Sequence, residues 1–184
     1  TDIAEKAEFA DRKVTRIIDG QKMTGWFTED FTLAELKTLR AKERLPQLRS
    51  ANMAYDGQFE VPTFDEILAL AKAQTAATGR TIGVYPETKH PSYFASIGLP
   101  HEGPLLAALT KYGHVAKSAP VFIQSFEVEN LKALRPKTKL RLIQLMDEKG
   151  SPADRSDLTY PQMATAEGLK TVATYADGIG PNKG

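Results

Sequence analysis

Short apolar runs alternate along the chain with segments that show the apolar spacing of helices. Four runs have the length and composition of strands, namely residues 81–87, 121–126, 140–146 and 176–181. Helical spacing is found in residues 63–78, 105–112, 128–134 and from Pro161 toward Val172. Continuous apolar strands that alternate with helices predict a parallel sheet with both faces covered.

Two segments begin with the sequence of a capping box. Thr32 is followed by Glu35, and Thr63 is followed by Glu66, each at the start of a helical pattern. In such a box the threonine hydroxyl accepts an exposed backbone N–H, and the glutamate side chain reaches back to the cap. We therefore predict that a helix starts at each site. Residues 44–62, which lie between them and are rich in turn-forming residues, predict a long loop.

Two architectures fit this order of elements, an open doubly wound sheet and a TIM barrel. A nucleotide-binding open sheet is disfavoured because no glycine-rich phosphate loop follows a predicted strand; Gly178 and Gly180 are followed by Pro181 rather than by a helix. A closed (β/α)8 barrel needs eight strands and about 250 residues. We therefore expect an α/β fold in which residues 1–184 form a single domain that is part of a TIM barrel.

The composition narrows the classes of partner. The chain has 24 basic and 23 acidic residues, so its net charge of +1 gives no electrostatic reason to expect nucleic acid or an anionic membrane as a partner. We expect no transmembrane segment, because no apolar run approaches the roughly 20 residues that a spanning helix needs. Cysteine is absent, which excludes disulfides and thiol chemistry without deciding the compartment. The oligomeric state stays open.

The strand predicted at 81–87 leads into two charged side chains. Glu87 and Lys89 are two residues apart, so the alternation of a strand places both on the same face. A carboxylate at the carboxyl end of a buried strand can hold a divalent cation, and a lysine beside it can hold a phosphate. The alternative is structural: the two residues form an ion pair, or they face water where the strand leaves the core. The spacing alone favours this structural interpretation.

Segments around this strand resemble the glycerophosphodiester phosphodiesterase family in order and spacing. Residues 84–91, Val-Tyr-Pro-Glu-Thr-Lys-His-Pro, are similar to the motif of that family's fourth strand. Further similarities are the helix starts in 31–37 and 61–68, the fifth-strand Ser-Phe pair in 124–126, and the seventh-strand segment of periplasmic members in 175–181. The resemblance implies a partial TIM barrel of the phospholipase C-like phosphodiesterase type. It would contain the fourth to seventh strands, their preceding helices and residues 44–62 as a loop insertion.

The resemblance also implies an enzyme that hydrolyses a small-molecule phosphodiester, a glycerophosphodiester, to an alcohol and sn-glycerol 3-phosphate. It implies a divalent cation, calcium or magnesium, and a periplasmic or secreted location. Glu87 matches a carboxylate that holds the metal, and Lys89 matches a lysine that pairs with a phosphate oxygen. Phe126 matches an aromatic residue that would contact the glycerol end, and Gln124, on the same side of its strand, would hydrogen-bond there. The alternatives are a packing residue for Phe126 and a satisfied buried amide for Gln124.

The sequence also departs from the family. The reaction there depends on a His-Arg-Gly motif, a Glu-x-Asp motif and a further histidine after the first three strands, and none is present here. His90, His101 and His114 are not followed by Arg-Gly. We therefore expect a fragment that begins just after the third strand, stops before the eighth, contains no catalytic residue and is inactive alone. Two other functions stay open, a non-catalytic family-like binding or adhesion module and a phosphoinositide-type phospholipase barrel.

Overall fold

The computed structural model describes residues 1–183 as a mixed α/β structure with two units. The first unit is Thr1–Glu66, and the second begins at Ile67. The α/β class expected from the sequence is confirmed, since strands and helices both contribute to the chain. The expectation that residues 1–184 form a single domain stays a prediction.

The first unit contains an antiparallel hairpin that the sequence analysis did not predict. Strand β1, Val14–Ile18, pairs with strand β2, Gln21–Gly25. The two turn residues between them are Asp19 and Gly20, with φ of 52° and 74°. A two-residue turn with positive φ at both positions matches the twist of the strands, and for this reason Asp-Gly is favoured there.

The rest of the first unit includes short helical segments. Helix α1, Leu33–Leu36, starts as predicted from a capping box between Thr32 and Glu35. Segments of 3-10 helix cover Ile3–Glu5, Ala7–Arg12, Thr28–Asp30 and Ser50–Tyr55. The last of these corrects the expectation that residues 44–62 are a loop throughout. Its backbone hydrogen bonds span only three residues, so they form without the long apolar spacing that identifies an α-helix.

Helix α2, Phe64–Thr78, begins and ends where the sequence predicts. The Thr63 hydroxyl accepts the Glu66 N–H at 3.2 Å, and the Glu66 carboxylate accepts the Thr63 N–H at 2.7 Å. Gly79 follows the helix with a φ of 67°, a conformation that commonly ends helices and that glycine adopts without strain. Both ends are fixed by local contacts, so the sequence alone was sufficient to locate them.

The second unit is built on a parallel sheet. Within residues 1–183 the sheet contains, in this order, β3 (Phe122–Ser125), β4 (Arg141–Met146) and β5 (Gly178–Pro181). These strands confirm three of the four predicted runs and the predicted parallel pairing. The sheet does not close into a barrel within the described residues.

The fourth predicted strand, residues 81–87, is not regular. The segment runs parallel to β3, but only Val84 and Glu87 form bridges, and both bridges are isolated. The Val84 N–H donates to the Pro120 carbonyl at 2.9 Å, and the Thr88 N–H donates to the Gln124 carbonyl at 3.0 Å. The next donor between them in a regular ladder would be residue 86. Pro86 has no N–H, so the ladder is interrupted and the expectation of a continuous strand was wrong.

The helices of the second unit partly match the expected pattern. After α2 the described residues contain α3 (Pro91–Ser96), α4 (Glu102–Lys111), α5 (Val128–Leu134), α6 (Tyr160–Met163) and α7 (Ala166–Val172). Helix α5 has the predicted bounds, α3 was not predicted, and α4 begins before the expected Leu105. The single helix expected from Pro161 is divided because Thr165 caps a new helix by accepting the Gly168 N–H at 3.1 Å. No helix within residues 1–183 has the length and apolar character needed to cross a bilayer.

The core of the second unit lies between the sheet and these helices. Residues no more than 1% exposed include Val121, Ile123 and Leu142 along the sheet and Leu68, Leu109, Leu131, Leu134 and Met163 on the helices. Burying one such side chain contributes about 1.5–3 kcal/mol. The other side of the sheet is less covered, since the Tyr85 side chain there is 50% exposed and contacts Phe122 edge-on. The candidate site therefore stands on the uncovered side of a well-packed scaffold.

Candidate functional site

Glu87 and Lys89 lie on the exposed side of the segment that borders β3. Both residues are exposed, whereas Thr88 between them is 5% exposed. Tyr85, two residues before Glu87, is also exposed. The alternation therefore places the carboxylate and the ammonium on one face, as the spacing predicts.

The Glu87 carboxylate and the Lys89 ammonium do not pair with each other. Within residues 1–183 neither side chain forms a hydrogen bond or a salt bridge. The ion-pair version of the structural alternative is therefore not formed in the part of the chain that the structure describes. Both groups are available to solvent or to a ligand, and their opposite charges suit an anion held together with a cation.

Gln124 stands directly opposite Glu87 in the parallel register. Its backbone N–H donates to Pro86 at 2.9 Å, and its carbonyl accepts the Thr88 N–H at 3.0 Å. The side-chain Nε2 donates to the Tyr85 carbonyl at 3.3 Å. The amide is thus half-buried and uses one donor on the neighbouring backbone, while its Oε1 has no protein partner within residues 1–183. Both interpretations from the sequence, a satisfied buried amide and a group that hydrogen-bonds in the site, stay predictions.

Phe126 follows β3 and is 38% exposed. Its ring contacts Tyr160 edge-on, with the ring centroids 6.1 Å apart. The residue therefore packs against α6 and also presents apolar surface beside the carboxyl end of β3. All four predicted site residues, Glu87, Lys89, Gln124 and Phe126, therefore lie at the carboxyl ends of two neighbouring parallel segments. Proteins of the α/β class commonly bind ligands at this edge of the sheet.

Behind this edge, three polar side chains form a hydrogen-bonded series that was not predicted from the sequence. The Thr88 hydroxyl lies 2.6 Å from the Asn130 Oδ1, and the Asn130 Nδ2 lies 2.5 Å from the Glu102 Oε1. Nearby, the buried Glu127 accepts the Ser92 N–H at 3.0 Å. A signal existed in the sequence, since Asn130 is four residues before Leu134 and therefore lies on the same face of the predicted helix as this apolar residue.

The three histidines lie next to the ends of helices. His90 follows Lys89 with a φ of 53° and precedes α3, so it lies where the chain turns into that helix. The ring of His101 contacts the Phe94 ring at a tilt of 37°, with the centroids 4.6 Å apart, and burial lowers the pKa of His101 below the ordinary value of 6.5. His114 is partly exposed beyond the end of α4. These positions agree with the expectation that none of the three is a catalytic residue, which stays a prediction.

The described residues do not form a metal site by themselves. Calcium takes six to eight oxygen ligands, and magnesium takes six. Within residues 1–183, no three histidine, aspartate or glutamate side chains are grouped so that they could hold an ion. Glu87 provides a single carboxylate at the edge of the sheet, which does not fit a divalent cation without further ligands.

The fold and the candidate site define an α/β protein with exposed polar groups at the carboxyl ends of parallel segments. The chain belongs to the glycerophosphoryl diester phosphodiesterase family, which it matches over residues 9–183. The family resemblance found in the sequence is thereby confirmed.

Curated relatives support this assignment. The chain is 35% identical to the glycerophosphodiester phosphodiesterase GDPD6 of Arabidopsis thaliana, over 100% of the chain and 50% of that protein. It is 30% identical to a glycerophosphodiester phosphodiesterase of Treponema pallidum, over 99% of the chain and 55% of the relative. A glycerophosphodiester phosphodiesterase of Haemophilus influenzae is 26% identical, over 98% and 53%. The chain thus spans about half the length of the curated relatives it matches.

Proposed function

We propose that the whole protein hydrolyses glycerophosphodiesters to an alcohol and sn-glycerol 3-phosphate with the help of a divalent cation, Ca²⁺ or Mg²⁺. The observation that carries this proposal is the family match over residues 9–183, together with relatives that are named glycerophosphodiester phosphodiesterases. The unpaired, exposed Glu87 and Lys89 on one face support it, because hydrolysis of an anionic diester needs positive charge at the phosphate.

Each predicted residue has a proposed role. The Lys89 ammonium binds a non-bridging phosphate oxygen, where a compact point charge offsets the charge that develops during hydrolysis. The Glu87 carboxylate contributes one metal ligand, and the remaining ligands come from residues outside those described. The apolar surface of Phe126 and the amide of Gln124 contact the glycerol end. A bound cation would polarise the phosphodiester.

Hydrolysis also requires a base for the attacking water and an acid for the departing alcohol. Glu87 and Lys89, assigned to metal and phosphate, supply neither role. We therefore propose that the 184-residue chain alone is inactive and that the general acid and base belong to another part of the whole protein. The fold is proposed to be part of a TIM barrel of the phospholipase C-like phosphodiesterase type, which agrees with the parallel order β3-β4-β5.

The proposed location is periplasmic or secreted. Its support is the resemblance of residues 175–181 to periplasmic members of the family. Fractionation of cells that express the whole protein tests it, and recovery of the protein only with cytosolic markers would contradict it.

The test of the activity uses the whole protein and glycerophosphocholine. Release of sn-glycerol 3-phosphate is followed by coupled oxidation with its dehydrogenase, with Ca²⁺, Mg²⁺ or a chelator present. We expect release that depends on one of the cations, and no release by the 184-residue chain alone. Folded whole protein that releases no product with any divalent cation would contradict the proposal and would favour a non-catalytic binding module.

A further inference from the structure

Thr88 fixes the backbone between the two charged residues of the site. Its N–H donates to the Gln124 carbonyl at 3.0 Å, and its hydroxyl contacts the Asn130 Oδ1 at 2.6 Å. Thr88 and Asn130 are only 5% and 6% exposed. Water is therefore largely excluded, and a hydrogen bond in such surroundings holds its partners more firmly than one at the surface.

Glu102, the last of the three hydrogen-bonded side chains, determines which atom donates in each hydrogen bond. The Asn130 Nδ2 lies 2.5 Å from the Glu102 Oε1. An ionised carboxylate can only accept, so the amide nitrogen faces Glu102 and the amide oxygen faces Thr88. The Thr88 hydroxyl must then be the donor. The three side chains form one directed chain from the segment beside β3 through α5 to α4.

The segment depends on this side-chain contact because its backbone ladder is incomplete. Pro86 removes one donor next to Glu87, so the backbone there lacks the continuous hydrogen bonding that fixes a regular strand. Asn130 also needs this contact, because its buried amide oxygen must have a hydrogen-bond donor. It lies within α5 next to the fully buried Leu131, where an unsatisfied amide would be costly.

We propose that Thr88, Asn130 and Glu102 are positioning residues of the substrate site, which hold Glu87 and Lys89 opposite Gln124. The inference rests on the proposed function, because it assigns the hydrogen-bonded chain to the same site. The three residues touch neither substrate nor metal and act only through the backbone of residues 87–89. Misplacing a binding group by about 1 Å can cost roughly 100-fold in rate, so a loosened segment has a measurable effect.

Two substitutions at one position separate the hydroxyl from the shape of the side chain. Thr88→Val in the whole protein removes the donor and keeps the volume, whereas Thr88→Ser keeps the donor. We expect kcat/KM for glycerophosphocholine to fall about 10-fold or more in Thr88→Val and less than about 3-fold in Thr88→Ser. The control is Thr165→Val, which loses a hydroxyl contact to the Gly168 N–H. That variant should lower the thermal midpoint and leave kcat/KM unchanged.

A second set of variants tests the direction of the chain of hydrogen bonds. Asn130→Asp places a carboxylate against Glu102 and should lose activity as Thr88→Val does. Adding Glu102→Gln supplies an amide that can donate to the new carboxylate, which can still accept from Thr88. We expect the double variant to recover to within about 3-fold of the wild-type kcat/KM, because contacting residues couple strongly. No recovery would overturn the assigned direction and with it the proposal.

Amide hydrogen exchange tests the anchoring without requiring turnover. In Thr88→Val the peptide that covers residues 84–91 should exchange faster, while residues 159–172 keep their wild-type rate. Faster exchange in a whole protein whose wild type is inactive supports the anchoring and contradicts only the proposed function. Unchanged exchange in residues 84–91, or equal losses of activity in Thr88→Ser and Thr88→Val, would overturn the positioning role.

Discussion

Asp177, just before β5, joins separate segments of the second unit. Its carboxylate accepts hydrogen bonds from Arg135 at 2.7 Å and from the Leu142 N–H at 3.0 Å, and it pairs with Lys117 at 2.6 Å. Burial by itself raises the pKa of this carboxyl. The hydrogen bonds from Lys117, the Leu142 N–H and Arg135 outweigh that effect and hold the pKa below its ordinary value of 3.8. The ionised carboxylate therefore stabilises the fold.

Asp177→Asn removes the charge and keeps the shape of the side chain. A hydrogen bond to a charged group contributes about 1.5–3 kcal/mol. The pair with Lys117 adds at most about 1 kcal/mol, because the lysine side chain is 71% exposed and screened by solvent. Arg135 and the Leu142 N–H both donate to the same carboxylate oxygen, so an asparagine oxygen in its place can keep both contacts, but each loses its charged acceptor and weakens by about 1 kcal/mol. We therefore expect the substitution to lower the free energy of unfolding by about 2–3 kcal/mol at neutral pH.

Urea unfolding followed by circular dichroism measures this loss. The control is Asp157→Asn, which removes a carboxylate that Arg155 binds at 2.8 Å with the aspartate side chain 67% exposed. We expect a much smaller loss there, because exposed pairs contribute little. Comparable losses in the two variants would refute the reasoning from burial.

The pH dependence provides a second check on Asp177. Its folded pKa is lower than the ordinary value of 3.8 that applies to the unfolded chain, so its contribution is fully present above about pH 4. The contribution disappears as the pH falls through the lower, folded pKa. The difference in unfolding free energy between wild type and Asp177→Asn should therefore be constant near neutral pH and shrink below about pH 4. A difference that stays constant in acid would contradict the assignment.

Other predictions concern packing in the second unit and are checked by the same unfolding measurement. Gly168→Ala should destabilise the fold, because an added Cβ would lie 2.2 Å from the Gln162 carbonyl oxygen. Gly103→Ala, in α4 with nothing within 4 Å, should instead stabilise it by about 0.5–1 kcal/mol. Leu131→Ala, at a fully buried position, should cost about 2–5 kcal/mol. Leu169→Ala, 37% exposed on α7, should cost clearly less, and equal costs at the two leucines would contradict the burial pattern.

Features fixed by neighbouring residues could be predicted from the sequence. The caps at Thr32 and Thr63 depend on glutamates three residues away, and both formed. The interruption at Pro86 was also predictable, since proline lacks the N–H that an inner position of a ladder needs. The hairpin turn at Asp19 and Gly20 carries an Asp-Gly signal, but the flanking strands are too polar to show a clear alternation.

Contacts between distant residues could not be predicted in this way. Thr88 and Asn130 are 42 positions apart, and Asn130 and Glu102 are 28 positions apart. No periodicity in the sequence relates them, because their contact depends on how α4 and α5 pack. The contacts of Asp177 are of the same kind, since its carboxylate bonds to β4 and to the residue after α5, 35 and 42 positions away.

The central claim is that Glu87 and Lys89 form the phosphate end of a substrate site. The most direct test compares kcat/KM for glycerophosphocholine in the whole protein with Glu87→Gln and with Lys89→Met. The matched controls are Glu148→Gln and Lys149→Met, an adjacent exposed acid and base in the loop after β4. We predict losses of about 100-fold or more at Glu87 and Lys89, as expected when a group that stabilises developing charge is removed. Rates close to wild type at Glu87 and Lys89, as expected for the controls, would contradict the account.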